Sequence, residues 1–271
     1  MNDVITGAII CAILFFLACA FYNGLTVRFY TVNYANVKKP LRILQITDLH
    51  NSRYGAGQNK LLAKIEELKP DIICMTGDIF DERVSSANTA VFIHSIRNYK
   101  VFYCLGNHEM YMEDLPAILK LLVDNNITVL NGNSVRFCGI SICGVSDPRK
   151  EEQGEKTCDI PFSGRLASAH AECRTGDFKL LLSHRPEKMN EYLPHGFDLI
   201  LSGHAHGGQW RLPYLINGLW APHQGLFPKY AGGVYRYGKT THIVCRGLSK
   251  QLIIPRIFNP VELCCVDIKA Q

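Results

Sequence analysis

Short apolar runs alternate with amphipathic segments along most of the chain. Leu41–Thr47 has the pattern of a buried strand, and the segment QNKLLAKIEELK that follows places Leu61, Leu62, Ile65 and Leu68 on one helical face. Further strands are predicted in DIICMT, KVFYCL, ITVL, VRFCG, SICGV, FKLLLS and FDLILS, and near the C-terminus at Thr241–Cys245 and Val261–Ile268. Because strands separated by helical segments pack as layers, the pattern predicts an α/β domain with helices on both sheet faces.

The start of the chain has a different pattern. Val4–Val27 contains no charged residue, and Val4–Tyr22 is almost continuously apolar, which is long enough for one transmembrane helix. A cleaved signal peptide is the alternative, but it would need basic residues before the apolar run, where only Asp3 stands. Basic residues follow the run instead, and this arrangement favours a cytoplasmic location for the rest of the chain. We therefore predict a membrane anchor over 1–27, a linker over 28–40 and one domain over 41–271.

Composition excludes several classes of protein. The 271 residues are 47% apolar and 20% charged, which argues against a disordered or fibrous chain. A net charge of +5 is too small to indicate nucleic-acid binding, although it suits an anionic substrate or membrane surface. Most of the 11 cysteines lie in apolar runs, so we predict small buried side chains in a reducing compartment. The adjacent Cys264 and Cys265 should point to opposite faces of one strand.

Side chains that bind metals are concentrated directly after the predicted strands. Ligands of open α/β folds bind beyond the carboxyl ends of the strands. Those positions hold Asp48–His50, Gly77–Asp81, Gly106–Glu109, His184 and Gly203–Gln209. A single Asp or His there could be an ordinary turn or cap residue. Five of the 10 histidines fall in these loops, however, so the set as a whole indicates a metal site.

The ligand types favour two cations. Carboxylates and imidazoles without a cysteine suit Mn, Fe or Zn better than Ca or a thiolate zinc site. One carboxylate can bridge two cations about 3.5–4 Å apart, and such a pair stabilises both the attacking and the leaving oxygen of a displacement at phosphorus. In an extended loop the rings of His204 and His206 would point apart, so each would serve a different metal.

The ordered set D-x-H, G-D-x-x-D, G-N-H-E, H and G-H-x-H resembles the signature of the calcineurin-like metallophosphoesterases. The resemblance covers the whole part of the chain after the anchor, and it implies a four-layer α-β-β-α sandwich. It also implies two metals, with Mn favoured, and a bridging Asp78. The implied ligands of one metal are Asp48, His50, Asp78 and His206, and those of the other are Asp78, Asn107, His184 and His204.

The same resemblance implies catalytic roles next to the metals. His108 would act on the leaving-group side, as a general acid or by stabilising charge in the transition state. Asp81 would orient His108 by accepting its second ring N–H. Water activated by the metals would be the nucleophile. Glu109 is expected only to cap or pair locally.

One departure from the related phosphoprotein phosphatases bears on the substrate. In those enzymes an Arg that grips phosphate follows the second Asp of G-D-x-x-D, whereas this chain has Glu82 there and Arg83 one residue later. A carboxylate would repel a doubly charged phosphomonoester more than a singly charged diester. The sequence therefore favours a phosphodiester, unless Arg83 supplies a compensating charge.

The segment GGQWRLPYLINGLWAPHQGLFPKYAGGVY resembles the membrane-associated or exported bacterial branch of the family. Its many apolar residues either pack on a sheet or form a groove for an acyl chain. Within and after this segment, Phe227, Tyr230 and Arg246 are the predicted substrate-binding residues. Arg246 could contact phosphate or could be structural.

These features predict a single-pass protein of the bacterial inner membrane that hydrolyses a phosphodiester or pyrophosphate. A lipid-linked or envelope substrate is expected, such as UDP-diacylglucosamine, which a branch of the superfamily hydrolyses. The alternatives are an exported cell-wall phosphoesterase with broad specificity and a scaffold without activity. The scaffold is disfavoured because the full ligand set is present. A nuclease is disfavoured because no basic stripe with interleaved aromatic residues exists.

Overall fold

Leu41–Ile46 forms a buried strand because it carries apolar side chains on both faces, Leu41 and Ile43 on one and Leu44 and Ile46 on the other. The computed structural model describes residues 2–35, 39–155, 159–250 and 254–270. Its α-helices are α1 (Asn2–Ala20), α2 (Asn59–Leu68), α3 (Ala87–Ser95), α4 (Asn107–Tyr111), α5 (Leu115–Asp124), α6 (Arg149–Glu152), α7 (Phe162–Ala171) and α8 (Met189–Tyr192).

Fourteen strands lie between and after these helices in the described part of the chain. They are β1 (Thr26–Tyr34), β2 (Leu41–Ile46), β3 (Ile72–Thr76), β4 (Val101–Cys104), β5 (Ile127–Val129), β6 (Asn133–Phe137), β7 (Ile140–Val145), β8 (Phe178–Ser183), β9 (Leu199–Ser202), β10 (Trp220–Ala221), β11 (Gly225–Leu226), β12 (Gly233–Tyr237), β13 (Thr240–Val244) and β14 (Glu262–Ala270). The first sheet has the order β1-β14-β2-β3-β4-β5, and the second has the order β12-β13-β9-β8-β7-β6.

The two sheets pack face to face, with helices outside. Side chains alternate along β2, so that Ile43 joins the core between the sheets while Leu44 packs under α2 and α3 on the outer face. On the other sheet, Leu180 and Leu182 face the core between the sheets, and Leu181 packs under α7 and α8. The predicted four-layer α-β-β-α sandwich is therefore confirmed.

Local sequence features explain where several elements begin and how they face. The side chain of Asp114 accepts a hydrogen bond from the backbone N–H of Ala117 and so caps α5. Along β14, Cys264 lies between the sheets and Cys265 lies under the outer helices, as their adjacency predicted. The start of α5 and the facing of the side chains along β14 thus follow from short stretches of sequence.

The predicted linker is in part a strand. Residues 26–34 form β1, which pairs in parallel with β14 over nine positions from Thr26–Glu262 to Tyr34–Ala270. Tyr30 and Val32 pack against the core between the sheets. The linker prediction over 28–40 is wrong for this stretch because β1 makes its ladder with a strand more than 220 residues away, which local pattern cannot reveal.

Helix α1 is long and apolar enough to cross a bilayer, and its last turn contacts the domain. Phe258 donates a backbone hydrogen bond to the carbonyl oxygen of Ala20 over 2.7 Å. The rings of Phe16 and Phe258 also meet edge to face, with their centroids 5.3 Å apart. Most other apolar side chains of α1 are exposed, including Phe15 and Leu14.

Candidate metal centre

The carboxyl ends of the parallel strands in both sheets meet at one edge of the sandwich. The loops after β2, β3, β4, β8 and β9 converge there and carry the seven predicted ligands. All seven are buried, namely Asp48, His50, Asp78, Asn107, His184, His204 and His206. Strand topology therefore brings together side chains that are up to 158 positions apart in the sequence.

Asp78, His184 and His204 form one compact group of ligand atoms. Asp78 Oδ2 lies 3.1 Å from His184 Nε2, and His204 Nδ1 lies 3.0 Å from the same nitrogen. His184 Nδ1 donates a hydrogen bond to the carbonyl oxygen of Thr76 over 2.7 Å. This bond fixes the tautomer and leaves the lone pair of Nε2 directed at Asp78 and His204.

Asp48, His50 and His206 form a second group next to the first. Asp48 Oδ1 lies 3.9 Å from His50 Nε2 and 3.7 Å from His206 Nε2. His50 Nε2 also lies 3.6 Å from Asp78 Oδ2. The same oxygen of Asp78 thus faces both groups, which is the position a bridging carboxylate needs.

Several polar atoms in these groups need a partner that the protein does not supply. His50 Nε2, His206 Nδ1 and Asn107 Oδ1 are buried and have no hydrogen-bond partner among the described residues. Such orphaned atoms are costly in a protein interior. Imidazole nitrogens and oxygens without a cysteine fit divalent transition metals, so these residues fit two cations.

The electrostatics of the cluster also favour bound positive charge. Burial lowers the pKa of His184, but the carboxylates of Asp78 and Asp48 outweigh burial and raise the pKa to about 10. Burial raises the pKa of Asp147 to about 6, although His184 and Arg185 oppose this shift. Buried carboxylates therefore surround His184 and stabilise a cation at this position.

Five of the predicted ligands have a strained backbone. The φ angles of Asp48, His50, Asp78, His204 and His206 are 51°, 46°, 53°, 68° and 47°. Residues other than glycine adopt this left-handed region at a cost of about 1–2 kcal/mol each. The surrounding structure must therefore hold these loops in place.

Close packing around the loops also requires glycine at two positions. A Cβ atom on Gly106 would lie 2.2 Å from Asp78 Oδ1. A Cβ atom on Gly203 would lie 2.4 Å from Asp48 Oδ2. Both glycines therefore leave space for the carboxylates that face the cluster.

Glu109 connects two of the ligand loops. Its buried carboxylate accepts hydrogen bonds from the backbone N–H groups of Asp78, Ile79, Phe80 and Gly106 over 2.7–2.9 Å. The hydroxyl of Tyr103 donates a further bond. The expectation of purely local capping is therefore corrected, because Glu109 holds the Asp78 loop in place from 31 residues away.

His108 has a different partner from the predicted one. Its Nδ1 lies 2.7 Å from Glu82 Oε2 but 3.9 Å from Asp81 Oδ1. Asp81 instead accepts from His50 Nδ1 over 2.9 Å. The predicted orienting role of Asp81 is thus corrected, since it orients a metal-ligand candidate while Glu82 orients His108.

Arg83 engages Asp81 with two short hydrogen bonds and meets Glu82 only at 3.9 Å, between its Nε and Glu82 Oε1, so it offsets the charge of Glu82 weakly. Its Nε and Nη2 donate to the two carboxylate oxygens of Asp81 over 2.9 and 2.6 Å. Burial opposes ionisation of Asp81, but the bonds from Arg83 and His50 hold its pKa well below the usual range. Asp81 therefore stays ionised and keeps its bond to His50.

The three predicted substrate-binding residues lie outside the cleft over the cluster. Phe227 is exposed, and Tyr230 is buried with its hydroxyl 2.6 Å from that of Tyr237. Arg246 pairs with Glu262 over 3.3 Å and lines a different cavity. Their assignment to the substrate in the cleft is therefore corrected, because the residues of the segment after the histidine loop that line the cleft are Pro222 and His223.

Sequence reasoning missed three residues at the mouth of the cleft. His223 Nδ1 lies 2.8 Å from His204 Nε2, and Arg149 Nη1 lies 2.7 Å from His223 Nε2. Arg149 also donates to the hydroxyl of Tyr111 over 2.7 Å. No strand-end signal marks these positions, so the loop pattern could not have found them.

A cleft of about 270 Å³ opens over the cluster, lined by Asp78, Asn107, His108, His204 and His206 together with Glu82, Tyr111, Arg149, Pro222 and His223. A two-sheet sandwich with this buried carboxylate–imidazole cluster at its strand ends can hold divalent metals beside an open cleft. The model of the calcineurin-like phosphoesterase family matches residues 41–208, and the chain belongs to this family. The predicted family is thereby confirmed. Its members are metal-dependent phosphoester hydrolases with a dinuclear divalent metal site.

Several curated proteins are similar over most of this chain. An uncharacterized metallophosphoesterase of Campylobacter jejuni is 29% identical over 246 residues, which cover 89% of this chain and 62% of that protein. The phosphodiesterase YaeI of Escherichia coli is 28% identical over 77% of this chain and 75% of its own length. A transmembrane protein with a metallophosphoesterase domain from Bos taurus is 27% identical over 79% of this chain and 53% of its length. The chain spans less than two thirds of the Campylobacter relative.

Solved structures show the same fold at low identity. A protein of Thermus thermophilus superposes with a TM-score of 0.52 at 14% identity, over 78% of this chain and 92% of that protein. The NAD nucleotidase of Haemophilus influenzae gives a TM-score of 0.51 at 19% identity, over 78% and 46% of the two chains.

The cluster geometry predicts that metal content depends on Asp78 and His184. Asp78→Asn and His184→Gln should each lower the bound metal from about two ions per chain to one or fewer, because one change weakens the bridge and the other removes a ligand. Elemental analysis of the purified variants measures this loss. His94→Gln is the matched control, since His94 is an exposed histidine on α3. Full metal content in Asp78→Asn would contradict the bridging assignment.

Proposed function

We propose that this protein is a membrane-anchored phosphodiesterase with two divalent metals, Mn being favoured. The observation that carries the preference for diesters is a carboxylate in the cleft, because Glu82 lies beside His108 among the residues that line it. The similarity to a phosphodiesterase of Escherichia coli agrees with this proposal.

The charges in the cleft favour a substrate with one negative charge. Glu82 would repel the second charge of a phosphomonoester, and Arg83 is directed to Asp81. Arg149 is the arginine that lines the cleft, so one guanidinium is available for a non-bridging phosphoryl oxygen. A phosphodiester carries one negative charge, which the single guanidinium of Arg149 can balance.

Each residue of the cleft then has a defined task. When bound, the two metals would supply Lewis-acid stabilisation of the phosphoryl oxygens and lower the pKa of water. His108 donates its Nδ1–H to Glu82, and in the imidazolium form, which carries a second proton on Nε2, it can donate that second proton to the leaving oxygen. Asp81 keeps His50 in the tautomer that binds metal through Nε2. Arg149 orients the diester for in-line displacement.

The proposed substrate is a lipid-linked or envelope phosphodiester or pyrophosphate, of which UDP-diacylglucosamine is an example. Helix α1 supports this choice because it would hold the domain at a bilayer. The exposed apolar side chains of Leu212, Tyr214 and Leu215 lie on the segment next to α1 and support it as well. Relatives named as transmembrane proteins with a metallophosphoesterase domain are in accord with an anchor.

We place the domain on the cytoplasmic side of a bacterial inner membrane. Arg28, Lys39 and Arg42 follow α1, whereas Asp3 precedes the apolar run. Alkaline phosphatase fused after residue 35 should therefore be inactive, because it folds only after export. The same fusion with a cleavable export signal in place of α1 is the positive control. An active fusion behind native α1 would reverse the orientation and favour the exported alternative.

The role of Glu82 predicts a change in substrate preference. The full chain with Mn(II) should hydrolyse bis-p-nitrophenyl phosphate faster than p-nitrophenyl phosphate. Glu82→Gln should raise the ratio of monoester to diester kcat/KM by about fivefold or more, because a repulsive charge is removed. Glu66→Gln, which neutralises an exposed carboxylate on α2, is the control. An unchanged ratio in Glu82→Gln would remove the electrostatic basis for diester preference.

The role of His108 predicts a loss of turnover without loss of metal. His108→Ala should lower kcat for the diester by about 100-fold or more, since a general acid is removed. Metal content measured on the same sample should stay at the level of the unmodified protein, because His108 is not among the predicted ligands. Equal turnover in His108→Ala would exclude His108 from the mechanism.

A further inference from the structure

Two adjoining cavities lie beside α1, apart from the metal cleft. The first, here called the arginine pocket, has a volume of about 550 Å³ and is lined by Arg28, Arg211 and Arg246. The second, here called the helix groove, has a volume of about 360 Å³ and lies between the end of α1 with the adjoining Phe21 on one side and Trp210–Leu219 on the other. Arg211, Leu212, Ile216 and Phe258 line both cavities, so the two adjoin each other.

The arginine pocket carries excess positive charge. Its three guanidinium groups are balanced by one buried carboxylate, that of Glu262, whose Oε2 lies 3.5 Å from Arg28 Nε and 3.3 Å from Arg246 Nε. Arg211 has no carboxylate partner among the described residues and instead donates to the carbonyl oxygen of Gly207 and to Asn217. The pocket is thus left with two uncompensated positive charges.

Burial makes these charges costly without an anion. Burial, together with the charges of Arg246 and Arg28, lowers the pKa of Arg211 to about 10, while Glu262 opposes the shift. Arg246 Nε is buried and, beyond its ion pair with Glu262, makes no hydrogen bond among the described residues. A phosphate group would accept hydrogen bonds from such guanidinium groups and relieve their mutual repulsion.

The helix groove is almost wholly apolar. Phe16 and Leu17 of α1 and the adjoining Phe21 form one wall. Trp210, Leu212 and Leu219 form the other. At the tip of the second wall, the side chains of Tyr214 and Leu215 are fully or largely exposed, at 107% and 78% of their reference areas. Such a tip beside a transmembrane helix suits contact with lipid more than with water.

The arginine pocket is distinct from the metal cleft. Among the described residues, the two cavities share no lining side chain. They contact opposite parts of one short turn, since His206 lines the cleft while Arg211 binds the carbonyl oxygen of Gly207. A ligand in the arginine pocket is therefore not positioned for hydrolysis.

We propose that the arginine pocket binds the phosphate headgroup of an anionic membrane lipid, with one acyl chain in the helix groove. The inference rests on the proposed membrane anchoring through α1. Charge complementarity favours an anionic lipid. The headgroup of a zwitterionic lipid also carries a positive charge, which the three arginines would repel. The bound lipid would dock the domain against the bilayer at a fixed orientation and would remain intact.

Lipid binding to the full chain tests the proposal. The protein in detergent micelles is titrated with phosphatidylglycerol or phosphatidylcholine, and bound intact lipid is counted by native mass spectrometry. One phosphatidylglycerol should bind about tenfold or more tightly than phosphatidylcholine. Arg28→Gln and Arg211→Gln should each weaken that binding by about fivefold. Arg28 is half-exposed, so its variant carries little folding risk, and Arg211→Lys should restore most of the affinity.

Matched controls separate the pocket from general charge effects. Arg97→Gln removes an exposed arginine outside both cavities and should leave lipid binding unchanged. Inorganic phosphate should compete only weakly, because it lacks the acyl chain. Equal binding of the two lipids, no effect of Arg28→Gln and Arg211→Gln, or equally tight binding of inorganic phosphate would each overturn the proposal.

Two parallel measurements distinguish this inference from the proposed function. Arg28→Gln and Arg211→Gln should retain hydrolysis of bis-p-nitrophenyl phosphate, since neither residue lines the metal cleft. Loss of selective lipid binding with normal turnover would overturn only the lipid site. Absence of turnover in the unmodified protein, or failure of the full chain to float with phosphatidylglycerol vesicles, would instead overturn the phosphodiesterase or its anchoring.

Discussion

The rest of the structure depends on Asp78, a buried carboxylate that faces two sets of buried imidazoles. Asp78 Oδ2 lies 3.1 Å from His184 Nε2 and 3.6 Å from His50 Nε2, and each imidazole directs its other ring nitrogen to a fixed acceptor. Groups of this kind destabilise a protein interior unless they bind cations. The family's dinuclear metal site meets this requirement, and the diester chemistry proposed here follows from the charges around it.

The fold stabilises this cluster through support that lies outside it. The left-handed backbone of five predicted ligands is held by hydrogen bonds such as those of Glu109, which joins the loops after β3 and β4. Pairing of β1 with β14 completes the first sheet and brings α1 to the domain beside the arginine pocket. One sandwich thus presents the cleft over the metal-ligand cluster at its strand ends and the arginine pocket, for which we propose a lipid ligand, next to α1.

The sequence sufficed for features encoded locally. The buried apolar runs of β2 and β3 could be predicted, and so could the convergence of the seven candidate ligands, because parallel strands bring their carboxyl ends to one edge. Contacts between residues that are far apart in the sequence could not be predicted. The pairing of β1 with β14, the choice of Glu82 over Asp81 by His108, and the approach of His223 to His204 depend on tertiary packing. Arg246 likewise belongs to a motif that suggested phosphate binding at the cluster, but it lines another cavity.

A crystal structure of the full chain grown with Mn(II), with anomalous differences recorded for manganese, tests the central claim most directly. The account predicts two peaks about 3.5–4 Å apart, with Asp78 between them. His184 and His204 should contact one ion, and His50 and His206 the other. A single peak, or ions bound away from Asp78, would contradict it.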